Sequence, residues 1–150
     1  MQISFLFSFA VKIMFYYDVN YLTVIVATIA SFVIGFLWYG PVFGKQWIKM
    51  MGYTKESMSS MKMKPMTAMA LGFLSNLVMA YAVSVFASIW MYDGLYGAFK
   101  LSFLLWLGFV AVTSLGAVLW ENRSWNLFLF NTVYQFLILF VMASIIFMWK

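Results

Sequence analysis

Three carboxamide side chains, Asn76, Asn131 and Gln135, lie in segments that are otherwise apolar. Asn131 and Gln135 have the spacing that places two residues one turn apart on the same face of a helix. An amide group donates and accepts hydrogen bonds but does not exchange protons near neutral pH. The three residues therefore predict a site that works by hydrogen bonding. It would either clamp helices together or line a cavity for a ligand or a permeating solute.

Much other chemistry is excluded, because the sequence contains neither cysteine nor histidine. This rules out disulfides, thiolate zinc sites, iron–sulfur clusters and imidazole metal ligands. The sequence also shows no carboxylate pair, no nucleophile–base arrangement and no dinucleotide fingerprint. We therefore predict a protein that is not an enzyme and that carries no cofactor.

Methionines cluster between residues 58 and 69, and they allow two interpretations. Soft thioethers bind Cu(I), whereas the same residues on a short surface helix would rest on a bilayer between lysines. The absence of nearby cysteine and histidine favours the surface helix. The cluster consists of Met58, Met61, Met63, Met66 and Met69.

The stretch GPVFGK, residues 40–45, has some features of a phosphate-binding loop but not its spacing. That loop needs four residues between its glycines and a Ser or Thr after the lysine. Here three residues intervene, and Gln46 follows Lys45. Gly40-Pro41 instead predicts the end of a helix, because proline lacks the N–H that would continue it.

Composition indicates which solvent surrounds these residues. The chain has 150 residues, of which 66% are hydrophobic and 9% are charged, whereas soluble domains are about 25% charged. A soluble domain of this composition would expose large apolar patches, and a lipid bilayer removes that difficulty. No linker-like stretch divides the chain, so we predict a single membrane domain, residues 1–150.

Four segments without formal charge are long enough to cross the hydrocarbon of a bilayer, which takes about 20 helical residues. Backbone groups in lipid must bond within their own segment, so the segments should be helices. The predicted fold class is all-α, a polytopic membrane protein whose four-helix bundle consists of two helical hairpins. The spans lie near residues 21–39, 66–90, 101–120 and 126–149.

Aromatic residues occur at nearly every predicted span end, where amphipathic rings prefer the headgroup layer. A stacking site for nucleic acid would not recur in this way, so no nucleic-acid partner is predicted. The predicted interface anchors are Trp38, Tyr39, Trp47, Trp90, Trp120, Trp125 and Trp149.

Charge predicts the orientation in the membrane. The basic loop, residues 41–64, carries five lysines and a single acid, Glu56. Lysine and arginine concentrate in cytoplasmic loops, so we predict a cell-membrane protein with both termini outside. Residues 1–17 allow an interfacial helix, a fifth span, or translation that begins at Met14 and omits residues 1–13.

Small residues recur at intervals of four along the predicted spans, and membrane helices associate through such residues. We expect these faces to point at one another. The favoured function is association, as a homo-oligomer or as a subunit of a larger membrane complex. The alternative is a small transporter or channel whose path the three carboxamides line. The predicted packing residues are Ala27, Ser31, Gly35, Ala68, Gly72, Ala80, Ser84, Gly108 and Gly116.

Two stretches, IGFLWYGPVFGKQW and LWLGFVAVTSLGAVLWENRSWNLFLFN, carry a family likeness. Over about residues 20–149 the chain resembles the small bacterial membrane family called domain of unknown function 1761. The resemblance implies a four-helix integral protein of the bacterial inner membrane. It implies no activity and no functional residue.

Overall fold

The structure, a computed structural model, describes residues 18–60 and 62–149, apart from the side chain of Lys55. Every regular element in these residues is helical, which confirms the all-α fold class. Four helices are long and apolar enough to span a membrane: Tyr21–Val42, Pro65–Ser88, Gly94–Glu121 and Trp125–Met148. Predictions about residues 1–17 fall outside the described residues.

The first long helix ends in a π-helical turn, the third is interrupted by one, and two short helices lie between the first and second. In chain order the elements are α1 (Tyr21–Leu37), the π-helical turn π1 (Trp38–Val42), α2 (Gly44–Met51), α3 (Lys55–Ser59), α4 (Pro65–Ser88), α5 (Gly94–Leu105), the π-helical turn π2 (Trp106–Ala111), α6 (Val112–Glu121) and α7 (Trp125–Met148).

Local signals set the helix ends. The Asn20 side chain accepts hydrogen bonds from the backbone N–H groups of Leu22 (3.1 Å) and Thr23 (3.3 Å), which caps α1. Pro65 is the first residue of α4, where its missing N–H would have had no helical partner. Helix α2 ends at Gly52, whose φ of +69° lies in the left-handed region that suits glycine.

The third long helix begins at Gly94, earlier than the predicted start near residue 101. The prediction placed the span after Lys100 because of its charge. In the structure the Lys100 ammonium lies 4.0 Å from the ring centroid of Tyr92 and 4.5 Å from that of Tyr96. Such cation–π contacts, close to a helix end, make a charge tolerable there. The helix therefore continues through Lys100.

Helix α7 is the central helix of the bundle, because it packs against α1, α4 and α5. Helix α1 also packs on α4, so each consecutive pair of long helices forms a hairpin. The two predicted hairpins are therefore present, and the contact between α1 and α7 joins them.

The core occupies only one half of the bundle. We call the end where α1 begins and α7 ends the Asp93 end, and the opposite end the Arg123 end. In the half nearer the Asp93 end, Ala27 and Ala80 are completely buried, as are Ala98 and Ala143. Such small side chains let the helix backbones approach closely, so this half of the bundle is closed.

Toward the Arg123 end the helices separate. Helix α6 has no buried residue, and α4 has none before Ala80. Bulky rings lie between π1 and α7, since the ring centroid of Phe130 is 5.4 Å from Trp38 and 6.0 Å from Phe43. These rings fill the space between the end of α1 and α7.

The predicted packing residues fall into two groups, one in the closed half of the bundle and one in the open half. Ala27, Ser31, Ala80 and Ser84 are buried between helices, and Gly35 lies directly beneath the Tyr134 side chain. The other four are not buried against a facing helix among the described residues. Ala68, Gly72 and Gly108 are exposed, and a methyl group at Gly116 would meet open space. Contact through these four residues stays a prediction.

Candidate functional site

Polar side chains from three elements lie where the closed half of the bundle gives way to the open half. We call them the polar waist: Tyr39 from π1, Asn76 from α4, and Asn131, Tyr134 and Gln135 from α7. The three residues of α7 share one side of the helix because of their spacing. Asn76 lies near the middle of α4. The waist thus contains all three carboxamides that the sequence singled out.

The larger groove, groove A, lies between α1 and α4 and has a volume of about 720 Å³. Asn76 and Gln135 both line it, together with Tyr134. Gly35 and Gly72 contribute no side chain to its walls, and this leaves the space open. Much of the remaining lining is apolar and includes Phe32, Phe36, Met69, Met79 and Ile138.

The polar groups at the middle of groove A have no partner within the described residues. Neither the Asn76 and Gln135 carboxamides nor the Tyr134 hydroxyl makes a hydrogen bond there. Ser75, which also lines the groove, donates to the Leu71 carbonyl oxygen at 2.9 Å. An unpaired amide or hydroxyl in an apolar environment costs on the order of 2–7 kcal/mol. A molecule that supplied the missing hydrogen bonds would remove this cost.

Groove B, of about 500 Å³, lies on the other side of Tyr39 and Gln135, since both residues line both grooves. Asn131 and Ser114 contribute its other polar groups. The Tyr39 hydroxyl donates a hydrogen bond to Asn131 Oδ1 at 3.0 Å. This bond ties π1 to α7 and holds the Tyr39 ring between the two grooves.

A third groove, of about 280 Å³, continues from groove B toward the Arg123 end. It shares Met51, Ser114 and Asn131 with groove B and reaches Arg123. The Arg123 guanidinium lies 4.0 Å from the Glu121 carboxylate, and both side chains are largely exposed. The three grooves therefore form a series along α7 from mid-helix to this end.

An aromatic cluster supports the waist. The Tyr39 ring lies 4.8 Å from that of Tyr134 and 5.6 Å from that of Trp47, and the Trp38 ring lies 4.6 Å from that of Phe43. Trp38, Tyr39 and Trp47 were predicted to contact lipid headgroups. In the structure they are half-buried, because their rings pack on one another and on α7.

The remaining predicted anchors lie elsewhere. Trp120 is 86% exposed, Trp125 58% and Trp149 53%, so their rings are free to contact headgroups. Trp90 is instead half-buried against the core. Its role as an anchor stays a prediction.

Both π-helical turns contact α7. Each begins with Trp, any residue and Gly, as Trp38-Tyr39-Gly40 in π1 and Trp106-Leu107-Gly108 in π2. The Trp106 indole N–H donates to the Thr132 carbonyl oxygen at 2.7 Å. Turns of this kind are frequent at functional sites, and here they flank the polar segment of α7.

The sequence analysis missed two residues of this region. Tyr134 and Trp106 lie inside the predicted spans and not at the ends where the aromatic anchors are expected. Each carries a polar group that needs a partner in hydrocarbon. The reasoning applied to the carboxamides would have identified both.

Cu(I) binding by the methionine cluster stays a hypothesis. Met58, Met63 and Met66 are exposed, and Met69 lines groove A. Met61 lies outside the described residues.

These features define a class, the all-helical bundles with four helices long and apolar enough to span a membrane. The model of the family described as "Protein of unknown function (DUF1761)" matches residues 22–147, and the chain belongs to this family. The resemblance seen in the sequence is thereby confirmed. No curated protein and no solved structure matches the chain.

Proposed function

We propose that this is an integral membrane protein, without enzymatic activity of its own, that binds a neutral amphipathic molecule in groove A. One observation carries the proposal: Asn76, Tyr134 and Gln135 line a groove of about 720 Å³, and their polar groups make no hydrogen bond among the described residues. Amide and phenol groups hold a ligand by hydrogen bonds without transferring protons near neutral pH. They suit binding better than catalysis.

The lining of groove A indicates the chemistry of the ligand. Its volume lies within the range of about 300–1,000 Å³ that is usual for small-molecule sites. Phe36, Met69 and Ile138 offer apolar contacts to a hydrocarbon chain. None of the described residues that line the groove carries a formal charge, so a charged ligand would be unpaired there. The expected ligand is a lipid-like molecule with a hydroxyl, carbonyl or amide group that reaches the waist.

Transport along the same residues is the weaker alternative. The three grooves adjoin along α7, which supports a path from the Arg123 end to the middle of the bundle. Beyond that point the core is closed, since Ala27, Ala80 and Met142 are completely buried. A binding site needs no further opening, whereas a path across the membrane would require this core to separate.

The test is to replace two unpaired amides and identify what copurifies. The full chain would be purified from its native membranes in mild detergent, and bound small molecules would be extracted and quantified by mass spectrometry. We expect a neutral amphipathic species near one per chain in the wild type. Asn76→Leu/Gln135→Leu should lower its amount at least tenfold, because two hydrogen bonds of about 1 kcal/mol each are lost.

The matched control is Thr113→Val, an exchange on another long helix and outside groove A. The Thr113 hydroxyl bonds to the Phe109 carbonyl of its own helix. This variant should retain the ligand at the wild-type amount. Equal amounts of the same species in all three proteins would contradict the proposal.

Association with a second copy, or with another membrane subunit, is a second proposed role. Exposed Gly108 and the open space at Gly116 support it, and both lie on the third long helix, outside groove A. Glycine on an exposed helix face allows a partner helix to approach closely. Because these residues do not line groove A, association and ligand binding can be tested separately.

A further inference from the structure

Helix α2, between the first and second long helices, has two chemically different faces. Lys45, Gln46 and Lys49 are exposed, whereas Trp47 and Ile48 are half-buried. The buried face is held by aromatic contacts, since the Trp47 ring lies 5.6 Å from those of Tyr39 and Tyr53. These aromatic contacts fix the orientation of the polar face.

The backbone places α2 at the end of the first long helix. Gly40 has non-helical angles (φ −106°, ψ −107°) and precedes Pro41, so the chain leaves the axis of α1 within π1. Helix α2 then starts in close contact with π1, because a methyl group at Gly44 would lie 2.7 Å from the Tyr39 carbonyl oxygen. A helix that begins where an apolar span ends lies at the level of lipid headgroups.

Lys45 and Lys49 are one helical turn apart on the exposed face, which places their Cβ atoms about 6 Å from each other. Neither forms an ion pair with a carboxylate among the described residues. The acid of the same loop, Glu56, is engaged locally: a backbone N–H and the Thr54 hydroxyl lower the pKa of its carboxyl. The two ammonium groups are therefore available to an external anion.

We propose that α2 binds the headgroup phosphate of an anionic phospholipid between Lys45 and Lys49. A lipid is the expected source of the phosphate, because the pair lies at the end of a membrane-spanning segment and not in a closed pocket. Each lysine near an anionic membrane surface contributes about 1 kcal/mol. The site is independent of the ligand in groove A, since neither lysine lines that groove.

The bound headgroup would lie next to the waist. Helix α2 contributes Trp47 and Met51 to groove B. One face of the same short helix thus meets the lipid phosphate while the other closes a wall of groove B.

The experiment titrates the full chain in neutral detergent with phosphatidylglycerol and counts bound lipids by native mass spectrometry. Lys45→Gln/Lys49→Gln should weaken phosphatidylglycerol binding about 10- to 30-fold, as expected when two such lysines are lost. Phosphatidylcholine, which carries no net charge, should bind equally to the wild type and to this variant.

The matched variant is Lys62→Gln/Lys64→Gln, which removes the same charge from exposed residues of the same loop but outside α2. It should bind phosphatidylglycerol within about threefold of the wild type. An equal loss in both variants, or no loss in either, would overturn the proposal. So would displacement of the lipid by millimolar inorganic phosphate, because that would indicate a site for free anions. Unchanged circular dichroism and melting temperature would show that Lys45→Gln/Lys49→Gln still folds.

Discussion

Several threonine and serine hydroxyls in the core bond to carbonyl oxygens of their own helices. Thr28 donates to the Val24 carbonyl oxygen at 2.7 Å, and Ser31 donates to that of Thr28 at 2.9 Å. A short hydroxyl side chain reaches the carbonyl one turn back, so it can be buried without a partner from another helix. The longer Asn76 and Gln135 side chains make no such bond. The short hydroxyl side chains therefore bond within their helices, whereas the longer amide side chains remain available to bind a ligand.

One prediction at the residue scale concerns the contact beneath Tyr134. A methyl group at Gly35 would lie 2.5 Å from the Tyr134 hydroxyl oxygen, and the ring is confined by Tyr39 at 4.8 Å. We expect Gly35→Ala to destabilise the protein by about 1–3 kcal/mol, as overpacking usually does. Thermal unfolding in detergent would measure the effect.

Removing the hydroxyl should create the missing space, so Gly35→Ala/Tyr134→Phe should recover most of the lost stability. Gly72→Ala is the control, because a methyl group there meets no atom within 4 Å. If Gly35→Ala and Gly72→Ala melt at the same temperature, the close packing of Tyr134 on α1 is refuted.

At the scale of elements, the helices that follow the two π-helical turns differ in how far they are exposed. The first long helix continues from π1 into α2, which packs against α7. The third long helix continues from π2 into α6, whose residues are all at least partly exposed. Helix α6 therefore offers uncovered helix surface to a partner, as does the first half of α4, where residues 65–75 are all exposed.

We expect Gly108→Leu/Gly116→Leu to reduce association. Leucine at both positions would block a close helix–helix approach at a cost of about 1 kcal/mol or more, which corresponds to roughly a fivefold loss of dimer. Chemical crosslinking in native membranes would measure the dimer fraction. Leu107→Phe, at a neighbouring exposed position, is the control and should leave the fraction unchanged. A monomer in the wild type under the same conditions would speak against association altogether.

At the scale of the whole molecule, charge and packing are both asymmetric between the two ends. The exposed lysines of α2 and of the loop before α4 lie at the Arg123 end, together with Arg123. The packed core and the acids Asp18 and Asp93 lie toward the other end. The basic end is thus also the open end, where the grooves begin.

Orientation can be tested directly because the chain contains no cysteine. We expect Met91→Cys, at a residue that is 93% exposed, to react with a membrane-impermeant maleimide in intact cells. Ser60→Cys, in the basic loop, should react only after permeabilisation, since positive loops remain in the cytoplasm. The opposite labelling pattern would reverse the proposed orientation, with both termini then inside.

The class, the four spans of the described residues and the family were all accessible from the amino-acid sequence. Each depends on local properties, namely the length of apolar runs and the need of a backbone in lipid to bond within its own helix. The importance of Asn76, Asn131 and Gln135 was also accessible, because an amide in hydrocarbon is costly wherever it lies. Lys100 shows where local reasoning failed: its charge suggested a span end, but Tyr92 and Tyr96 hold it within the helix.

Which residues of different helices contact one another could not be predicted, because those contacts depend on how distant segments pack. The hydrogen bond from Tyr39 to Asn131 and the approach of Tyr134 to Gly35 join parts of the chain that no local pattern connects. The bundle is closed where Ala27 and Ala80 are buried and open where α4 has no buried residue before Ala80. Asn76 and Gln135 line groove A and make no hydrogen bond among the described residues. Only the tertiary structure decided this, because the groove depends on how distant helices pack and no local pattern in the sequence fixes that.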